Sequence, residues 1–230
     1  MSGAPGRHRR AAPSTAGTRA VIFDLDGVLT DTAELHYQSW QRMAGVLGVE
    51  FDRAANEALR GLSREESLKR FLGPRLDEFS GPRRQEIMRL KNDDYLSRVE
   101  QMTPGDLLPG ISDLLPELRR RGARLAIASS SRNARRVIER LEIGHWFEVI
   151  VDGNDAPRSK PDPQLFLLAA ERLGARPSAC VVVEDAESGI DAALAAGMRV
   201  VGVGPRERVG RADRQVQTTG ELTAELLLGD

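Results

Sequence analysis

Five short apolar runs, rich in Val and Ile, constrain the fold of this chain more than any other feature of its sequence. Stretches with a helical pattern, or with Gly and Pro, separate each run from the next. The runs span residues 20–23, 124–128, 147–151, 179–184 and 199–203. Short buried strands that alternate with helices are typical of a parallel sheet with crossover helices. The sequence therefore predicts an α/β fold built on an open parallel sheet.

The segment between the first two predicted strands, residues 24–123, is far longer than a single crossover helix requires. It contains apolar residues at helical spacing, including Tyr37, Trp40 and Ala44. Ser63, with Glu66 three residues later, has the form of a capping box at a helix start. We therefore expect an inserted α-helical domain.

The boundaries of the predicted domains follow from this insertion. Pro104 and Pro109-Gly110 mark the return of the chain to the core. The N-terminus is rich in Ala, Gly, Pro and Arg and has no acidic residue, which is typical of a disordered tail. The predicted parts are a disordered tail at 1–18, a core at 19–32 and 104–230, and a helical cap at 33–103.

Composition and charge argue against several classes of partner. The net charge is −1 and aromatic residues make up 4% of the chain, so no basic or base-stacking surface for nucleic acid is expected. No apolar run approaches the roughly 18 residues of a membrane span. The single cysteine, Cys180, lies in an apolar run, which favours a buried thiol and a reducing compartment. We expect a cytoplasmic monomer that binds neither nucleic acid nor membrane.

Polar residues follow the predicted strands at equivalent positions. Each has a structural explanation of its own, as a turn, a helix cap or a solvated loop. In an open parallel sheet, however, these strand ends lie along one edge, where ligands bind. The residues are Asp24 and Asp26 after the first strand, Ser129, Ser130 and Ser131 after the second, Lys160 after the third, and Glu184 and Asp185 at the fourth. Their joint placement favours a functional site.

Phosphoryl transfer through a covalent carboxylate is the chemistry that requires such a set. Asp24 can attack phosphorus, while Asp26 can protonate the leaving oxygen and deprotonate the next acceptor. Lys160 and the Ser129 hydroxyl can stabilise the transferring group. A hard divalent cation such as Mg²⁺ would keep the carboxylates from repelling one another. The candidate metal ligands are Asp24, Asp26, Glu184 and Asp185.

The segment DLDGVLTD, the Ser129 motif, Lys160-Pro161 and Glu184-Asp185 together resemble the four motifs of the haloacid dehalogenase superfamily. In members with an insert after the first strand, a mobile helical cap covers a Rossmann-like, doubly wound core. The resemblance spans residues 20 to about 205. It implies that Asp24 is the nucleophile, Asp26 the general acid and base, and Mg²⁺ the cofactor.

Within that superfamily, four further segments resemble the β-phosphoglucomutase family: TDTAELHYQSW, RGLSREESL, KNDDY and ASSSRN. The resemblance implies that Thr32, His36 and Lys91 help to control Asp26. Arg60 and Arg132 depart from the family pattern, in which lysine is expected, and Ala186 stands where serine is expected. The candidate substrate-binding residues are Thr32, His36, Trp40, Arg64, Ser67, Lys91, Ser130, Ser131, Arg132 and Asn133.

The use of basic residues points to the same site. The chain has 30 arginines and three lysines, so the lysines that remain are candidates for places that need a compact point charge. Lys160 and Lys91 fall within the motifs, whereas Lys69 has no such place. Arg64 stands at a predicted helix start, where a guanidinium and free N–H groups can bind a second phosphate. Ser131, Arg132 and Asn133 begin a predicted helix over 132–141 and can do the same.

Together with these residues, the resemblance implies a Mg²⁺-dependent β-phosphoglucomutase that binds a sugar phosphate. Such an enzyme interconverts β-glucose 1-phosphate and glucose 6-phosphate through an aspartyl-phosphate and β-glucose 1,6-bisphosphate. A sugar-phosphate phosphatase, in which water takes the phosphoryl group from Asp24, is the alternative. A non-catalytic binding module would require a broken site, and Asp24, Asp26, Lys160 and Asp185 are all present.

Overall fold

A six-stranded parallel sheet with the strand order β3-β2-β1-β4-β5-β6 organises the computed structural model, which describes residues 19–229. Every neighbouring pair of strands runs parallel. The strands are β1 (Ala20–Phe23), β2 (Arg124–Ala128), β3 (Val149–Val151), β4 (Cys180–Glu184), β5 (Arg199–Val203) and β6 (Arg214–Val216). The predicted disordered tail lies outside the described residues.

The structure confirms five of the strands and adds a sixth. β1, β2 and β5 have the predicted bounds, whereas β3 and β4 begin two residues and one residue later than expected. β6 was not predicted, because of its three residues only Val216 is buried and no apolar run marks it. The edge position of β6 explains the weak signal, since one side of an edge strand has no neighbour to cover it.

Ten α-helices accompany the sheet within the described residues. Five lie between β1 and β2: α1 (Ala33–Leu47), α2 (Arg53–Glu57), α3 (Arg64–Leu72), α4 (Gly81–Val99) and α5 (Ile111–Arg120). The other five are α6 (Ala134–Arg140), α7 (Gln164–Leu173), α8 (Glu187–Ala195), α9 (Arg206–Val209) and α10 (Ala224–Leu228). The predicted helix over 132–141 is α6, which begins two residues later because Asn133 is its N-cap.

Helices cover both faces of the sheet, and β1 is buried on both. Val21 and Phe23 pack into one hydrophobic cluster with α5, α6 and α10, whereas Ala20 and Ile22 pack into another with α7 and α8. Because side chains alternate across a strand, a strand between two helical layers is apolar throughout. The predicted Rossmann-like, doubly wound α/β fold is therefore confirmed. Cys180 in β4 is buried, as expected, and burial raises the pKa of its thiol to about 11.

Residues 33–103, called the cap segment below, hold a third hydrophobic cluster of their own. Trp40 stacks on Phe71 with ring centroids 4.6 Å apart, and Ile87 and Met88 of α4 pack against the same cluster. The helix start at Ser63 is confirmed, because its side chain accepts a hydrogen bond from the Glu66 amide. The reciprocal half of the capping box is absent from the described contacts: the Glu66 carboxylate pairs with Lys69 at 2.5 Å. No helix among residues 19–229 is long and apolar enough to cross a membrane.

Candidate active site

The carboxyl ends of β1, β2 and β4, with the loop after β3, bring the predicted strand-end residues together. Lys160 is buried between two carboxylates, with its Nζ 2.5 Å from Asp24 Oδ1 and 2.7 Å from Glu184 Oε2. The other Glu184 oxygen accepts hydrogen bonds from the amides of Asp185 and Ala186. Burial acts to lower the pKa of Lys160, but Asp24 and Glu184 outweigh it and raise that pKa above its ordinary value. The ammonium therefore stays charged.

Asp24, Glu184 and Asp185 form a group of buried carboxylates in which one oxygen of each lies within 4.8 Å of one oxygen of the other two. Burial raises the pKa of Asp24 to about 7, against the opposing charge of Lys160. Burial, and then Glu184, raise the pKa of Asp185 well above its usual range. Clustered oxygen donors with surplus negative charge suit a hard divalent cation. The residues present therefore fit a divalent metal ion.

Asp26 lies outside that carboxylate group, although it was predicted to be a metal ligand as well as an acid and base. Its Oδ1 accepts a hydrogen bond from the Thr32 hydroxyl, and its Oδ2 accepts one from Ser129 Oγ at 3.3 Å. Burial, and then Asp24, raise the pKa of the Asp26 carboxyl to about 6, while the Thr32 hydrogen bond opposes the rise. A carboxyl that titrates near neutrality can both donate and accept a proton.

Lys91 and Tyr95, both buried in α4, form a cluster with the half-buried His36 of α1. Lys91 Nζ lies 2.7 Å from His36 Nδ1, and the His36 ring packs against Tyr95 with centroids 4.2 Å apart and the ring planes tilted by 31°. The Lys91 ammonium also lies over the Trp40 ring, 5.3 Å from its centroid. Burial, and then the charge of Arg64, lower the pKa of Lys91 to about 7. Burial also lowers the pKa of His36 well below its ordinary value.

Arg64, at the first position of α3, is linked to the core through Asn92 of α4. Its Nη2 donates a 2.6 Å hydrogen bond to Asn92 Oδ1, and the same oxygen accepts one from Asn133 Nδ2 at 2.8 Å. Arg132 forms a second link, with its Nη2 2.9 Å from Glu65 Oε1. Arg64 and Arg132 thus form a positively charged group to which the cap segment and the core both contribute.

A single pocket collects most of the predicted site. Five of the predicted residues do not line this pocket and instead make the contacts described above. They are Thr32, Ser129, Lys160, Glu184 and Asp185. The predicted residues on its lining are Asp24, Asp26, His36, Trp40, Arg64, Ser67, Lys91, Ser130, Ser131, Arg132 and Asn133.

Sequence reasoning did not single out three residues that take part in these contacts. Asn92 follows Lys91 directly in the segment KNDDY, which was its only signal. Tyr95 ends the same segment and is fully buried beside His36. Arg60 was noted only as a departure from lysine, yet its Nη1 lies 2.6 Å from Asp185 Oδ2.

The family model for haloacid dehalogenase-like hydrolases matches residues 18–197 of this chain. A β-phosphoglucomutase of Bacillus subtilis is 46% identical over 211 residues, which cover 91% of this chain and 93% of that protein. A phosphorylated carbohydrates phosphatase of Thermotoga maritima is 32% identical, over 80% of this chain and 84% of its own. These relatives include both of the activities that the sequence left open.

Among solved structures, a β-phosphoglucomutase of Clostridium difficile superposes with a TM-score of 0.88 and 39% sequence identity. The superposition covers 91% of this chain and 95% of that one. The similarity therefore extends over the cap segment as well as the core.

Proposed function

Because the chain belongs to the haloacid dehalogenase-like hydrolase family, we propose that it is a β-phosphoglucomutase that interconverts β-glucose 1-phosphate and glucose 6-phosphate. The observation that carries this proposal is the cationic end of the pocket, where Arg64 contacts Asn92 and Asn92 contacts Asn133. This arrangement supports a binding site for a second phosphate, separate from the contacts around Asp24. The identity to the Bacillus enzyme supports the same assignment.

In the first half of the proposed cycle, Asp24 carries the phosphoryl group. The 6-hydroxyl of β-glucose 1-phosphate attacks phosphorus, the bond between phosphorus and the Asp24 oxygen breaks, and the Asp26 carboxylate takes the hydroxyl proton. The products are β-glucose 1,6-bisphosphate and a free Asp24 carboxylate. Lys160, 2.5 Å from Asp24, neutralises charge on the transferring group.

In the second half, the bisphosphate binds in the reverse orientation. Asp24 attacks the phosphorus at C1, the bond between phosphorus and the C1 oxygen breaks, and the proton held by Asp26 passes to that oxygen. Glucose 6-phosphate leaves and the phosphorylated Asp24 is restored. The raised pKa of Asp26, about 6, allows one side chain to serve as base and then as acid.

Asp24, Glu184 and Asp185 would hold the divalent cation, for which we propose Mg²⁺. Such an ion supplies neutralising charge where the phosphoryl group is transferred. Metal ligation by Asp26 stays a prediction, as do a monomeric state and a cytoplasmic location.

A binding site for a second, distal phosphate distinguishes a mutase from a phosphatase. In the mutase cycle each phosphate of the bisphosphate must be held away from Asp24 while the other reacts. Arg64 and Arg132 provide guanidinium groups suited to a phosphate dianion. Remote binding energy of this kind can align the reacting group as well as raise affinity.

A sugar-phosphate phosphatase is the second candidate, favoured by the 32% identity to the Thermotoga phosphatase. The contacts of Asp24, Asp26 and Lys160 would serve it equally well, since water would simply replace the sugar hydroxyl as the acceptor. The two candidates differ in product, because the phosphatase releases inorganic phosphate.

Incubation of the purified protein with β-glucose 1-phosphate, Mg²⁺ and a trace of β-glucose 1,6-bisphosphate tests the proposal. We expect glucose 6-phosphate to form with little inorganic phosphate. Asp24→Asn should abolish both turnover and covalent labelling, whereas Asp113→Asn, the same change at an exposed position on α5, should alter neither. Stoichiometric release of phosphate would assign the protein as a phosphatase instead.

A further inference from the structure

Arg60, in the cap segment between α2 and α3, contacts one of the candidate metal ligands directly. Its Nη1 lies 2.6 Å from Asp185 Oδ2. The Asp185 side chain is 4% exposed and that of Arg60 is 19% exposed, so solvent screens this ion pair poorly. The Arg60 guanidinium, which belongs to the cap segment, therefore contacts the cluster of three carboxylates in the core.

The rest of the Arg60 guanidinium is held by Glu57 of α2. Arg60 Nη2 and Nε donate to the two Glu57 carboxylate oxygens at 2.9 Å and 3.1 Å. Arg208 of α9, in the core, adds a contact of 3.2 Å to the same carboxylate. The four side chains therefore form a row of alternating charge in the order Asp185, Arg60, Glu57 and Arg208. Two of its ion pairs, the first and the last, join the core to the cap segment.

Close backbone packing surrounds the ion pair. A Cβ atom placed on Gly61 would lie 2.7 Å from Ser188 Oγ and 3.0 Å from Ala186 Cβ. A Cβ atom placed on Gly27 would lie 3.0 Å from Arg60 Nη1. The cap segment therefore rests directly on the loop and helix start that carry Asp185, and Arg60 is fixed at this contact.

Arginine suits this position in a way that lysine does not. One guanidinium can bind Glu57 through two N–H groups and Asp185 through a third, because its donors form a planar fork. A lysine ammonium is a point charge that could not present that fork to Glu57. This is one of the positions where the sequence departs from the lysine that its resemblance leads one to expect.

A divalent cation at Asp24, Glu184 and Asp185 and the Arg60 guanidinium would neutralise the same carboxylate. Two cations beside one carboxylate repel each other in a buried, weakly screened setting. We propose that Arg60 is a built-in counter-ion for Asp185. When metal is absent, this ion pair holds the cap segment on the core. While the cap segment lies on the core, Arg60 weakens metal binding. The inference rests on the metal site of the proposed function.

The test compares Arg60→Gln with Arg60→Lys and the wild type, all unphosphorylated. Arg83→Gln, which removes the same charge from an exposed ion pair elsewhere in the cap segment, is the matched control. Calorimetric titration with MgCl₂ should show Mg²⁺ binding tighter by on the order of tenfold in Arg60→Gln. Arg60→Lys should fall between that variant and the wild type, and Arg83→Gln should match the wild type.

A second measurement requires no metal. In metal-free protein, amide hydrogen exchange around residues 60–62 and 185–189 should be faster in Arg60→Gln than in the wild type, because the contact between the two segments is lost. Glu57→Gln should produce a smaller change in the same direction, since it acts through Arg60. Circular dichroism establishes that each variant is folded.

An Mg²⁺ affinity that is unchanged or weaker in Arg60→Gln, or exchange that does not change, would overturn the inference. Neither measurement involves sugar or turnover. Failure of the mutase assay would therefore leave these results standing, and failure here would leave the mutase assignment standing.

Discussion

Arg64 and Asn133 donate hydrogen bonds to the same acceptor, Asn92 Oδ1, from opposite sides of the boundary between the cap segment and the core. The shared oxygen fixes the orientation of the guanidinium while occupying one of its five N–H donors. Asn92 itself carries no charge and adds no repulsion for an incoming phosphate. This arrangement makes Asn92 a positioning residue for Arg64.

We expect Arg64→Ala to lose most of the conversion of β-glucose 1-phosphate, and Asn92→Ala to lose about tenfold through misplacement of the guanidinium. Labelling of Asp24 by acetyl phosphate, which has no distal phosphate, should survive in both variants. Arg89→Ala on the same helix, where Arg89 pairs only with Asp93 among the described contacts, should behave as the wild type. Equal losses of conversion and labelling would instead indicate a folding defect.

Asp26→Asn should slow transfer between Asp24 and the sugar by about 10² to 10⁴, because an amide cannot shuttle a proton. A loss below about tenfold would exclude Asp26 as the acid and base.

Thr32→Val tests the hydrogen bond to Asp26. Burial raises the pKa of Asp26 to about 6, and the Thr32 hydroxyl opposes the rise. In the proposed cycle the base form accepts the proton during transfer to the sugar, so we expect the rate to fall as pH drops through this pKa. In Thr32→Val the pKa should be higher and the fall should begin at higher pH, while Thr32→Ser should restore the wild-type profile. Superimposable profiles for Thr32→Val and the wild type would contradict this role.

Gly27→Ala should damage the site and not merely the backbone. Gly27 has a φ of +87°, and a Cβ atom there would lie 2.2 Å from Asp185 Oδ2. Gly122 has a similar φ of +78° with nothing within 4 Å of its Cβ position. Gly122→Ala should therefore cost about 1 to 2 kcal/mol in unfolding free energy, from backbone strain alone. Gly27→Ala should cost more and also weaken Mg²⁺ binding, measured by urea unfolding and by calorimetry; equal effects would rule out the steric argument.

Lys91→Met should change how stability depends on pH. Burial, and then Arg64, lower the pKa of Lys91 from 10.5 to about 7 in the folded protein. Between about pH 7 and 9, the unfolded chain keeps a proton that the folded protein has lost, so Lys91 makes stability rise with pH. The rise is up to about 1.4 kcal/mol per pH unit for one proton. Urea unfolding at three pH values should show this slope reduced in Lys91→Met, and parallel slopes would contradict the depressed pKa.

The sequence was informative wherever function follows from the position of a residue along a strand. Asp24, Lys160 and Glu184 could be placed together because parallel strands end at one edge of the sheet. The contacts of Asn92 and Arg60 could not, since they depend on how the cap segment lies on the core, and no periodicity encodes that. The Glu66 half of the predicted capping box is missing for a local reason, because Lys69, one turn further on, pairs with the Glu66 carboxylate instead.

The pairing of β1 with both β2 and β4 has a consequence for synthesis of the protein on the ribosome. β1 emerges first, but residues 24–179 must follow before β4 can join it. At ordinary elongation rates this interval is on the order of ten seconds, during which one edge of an apolar strand lacks its native neighbour. Nascent chains that end before residue 180 are therefore expected to depend on chaperones, and those that extend past β4 to be released from them.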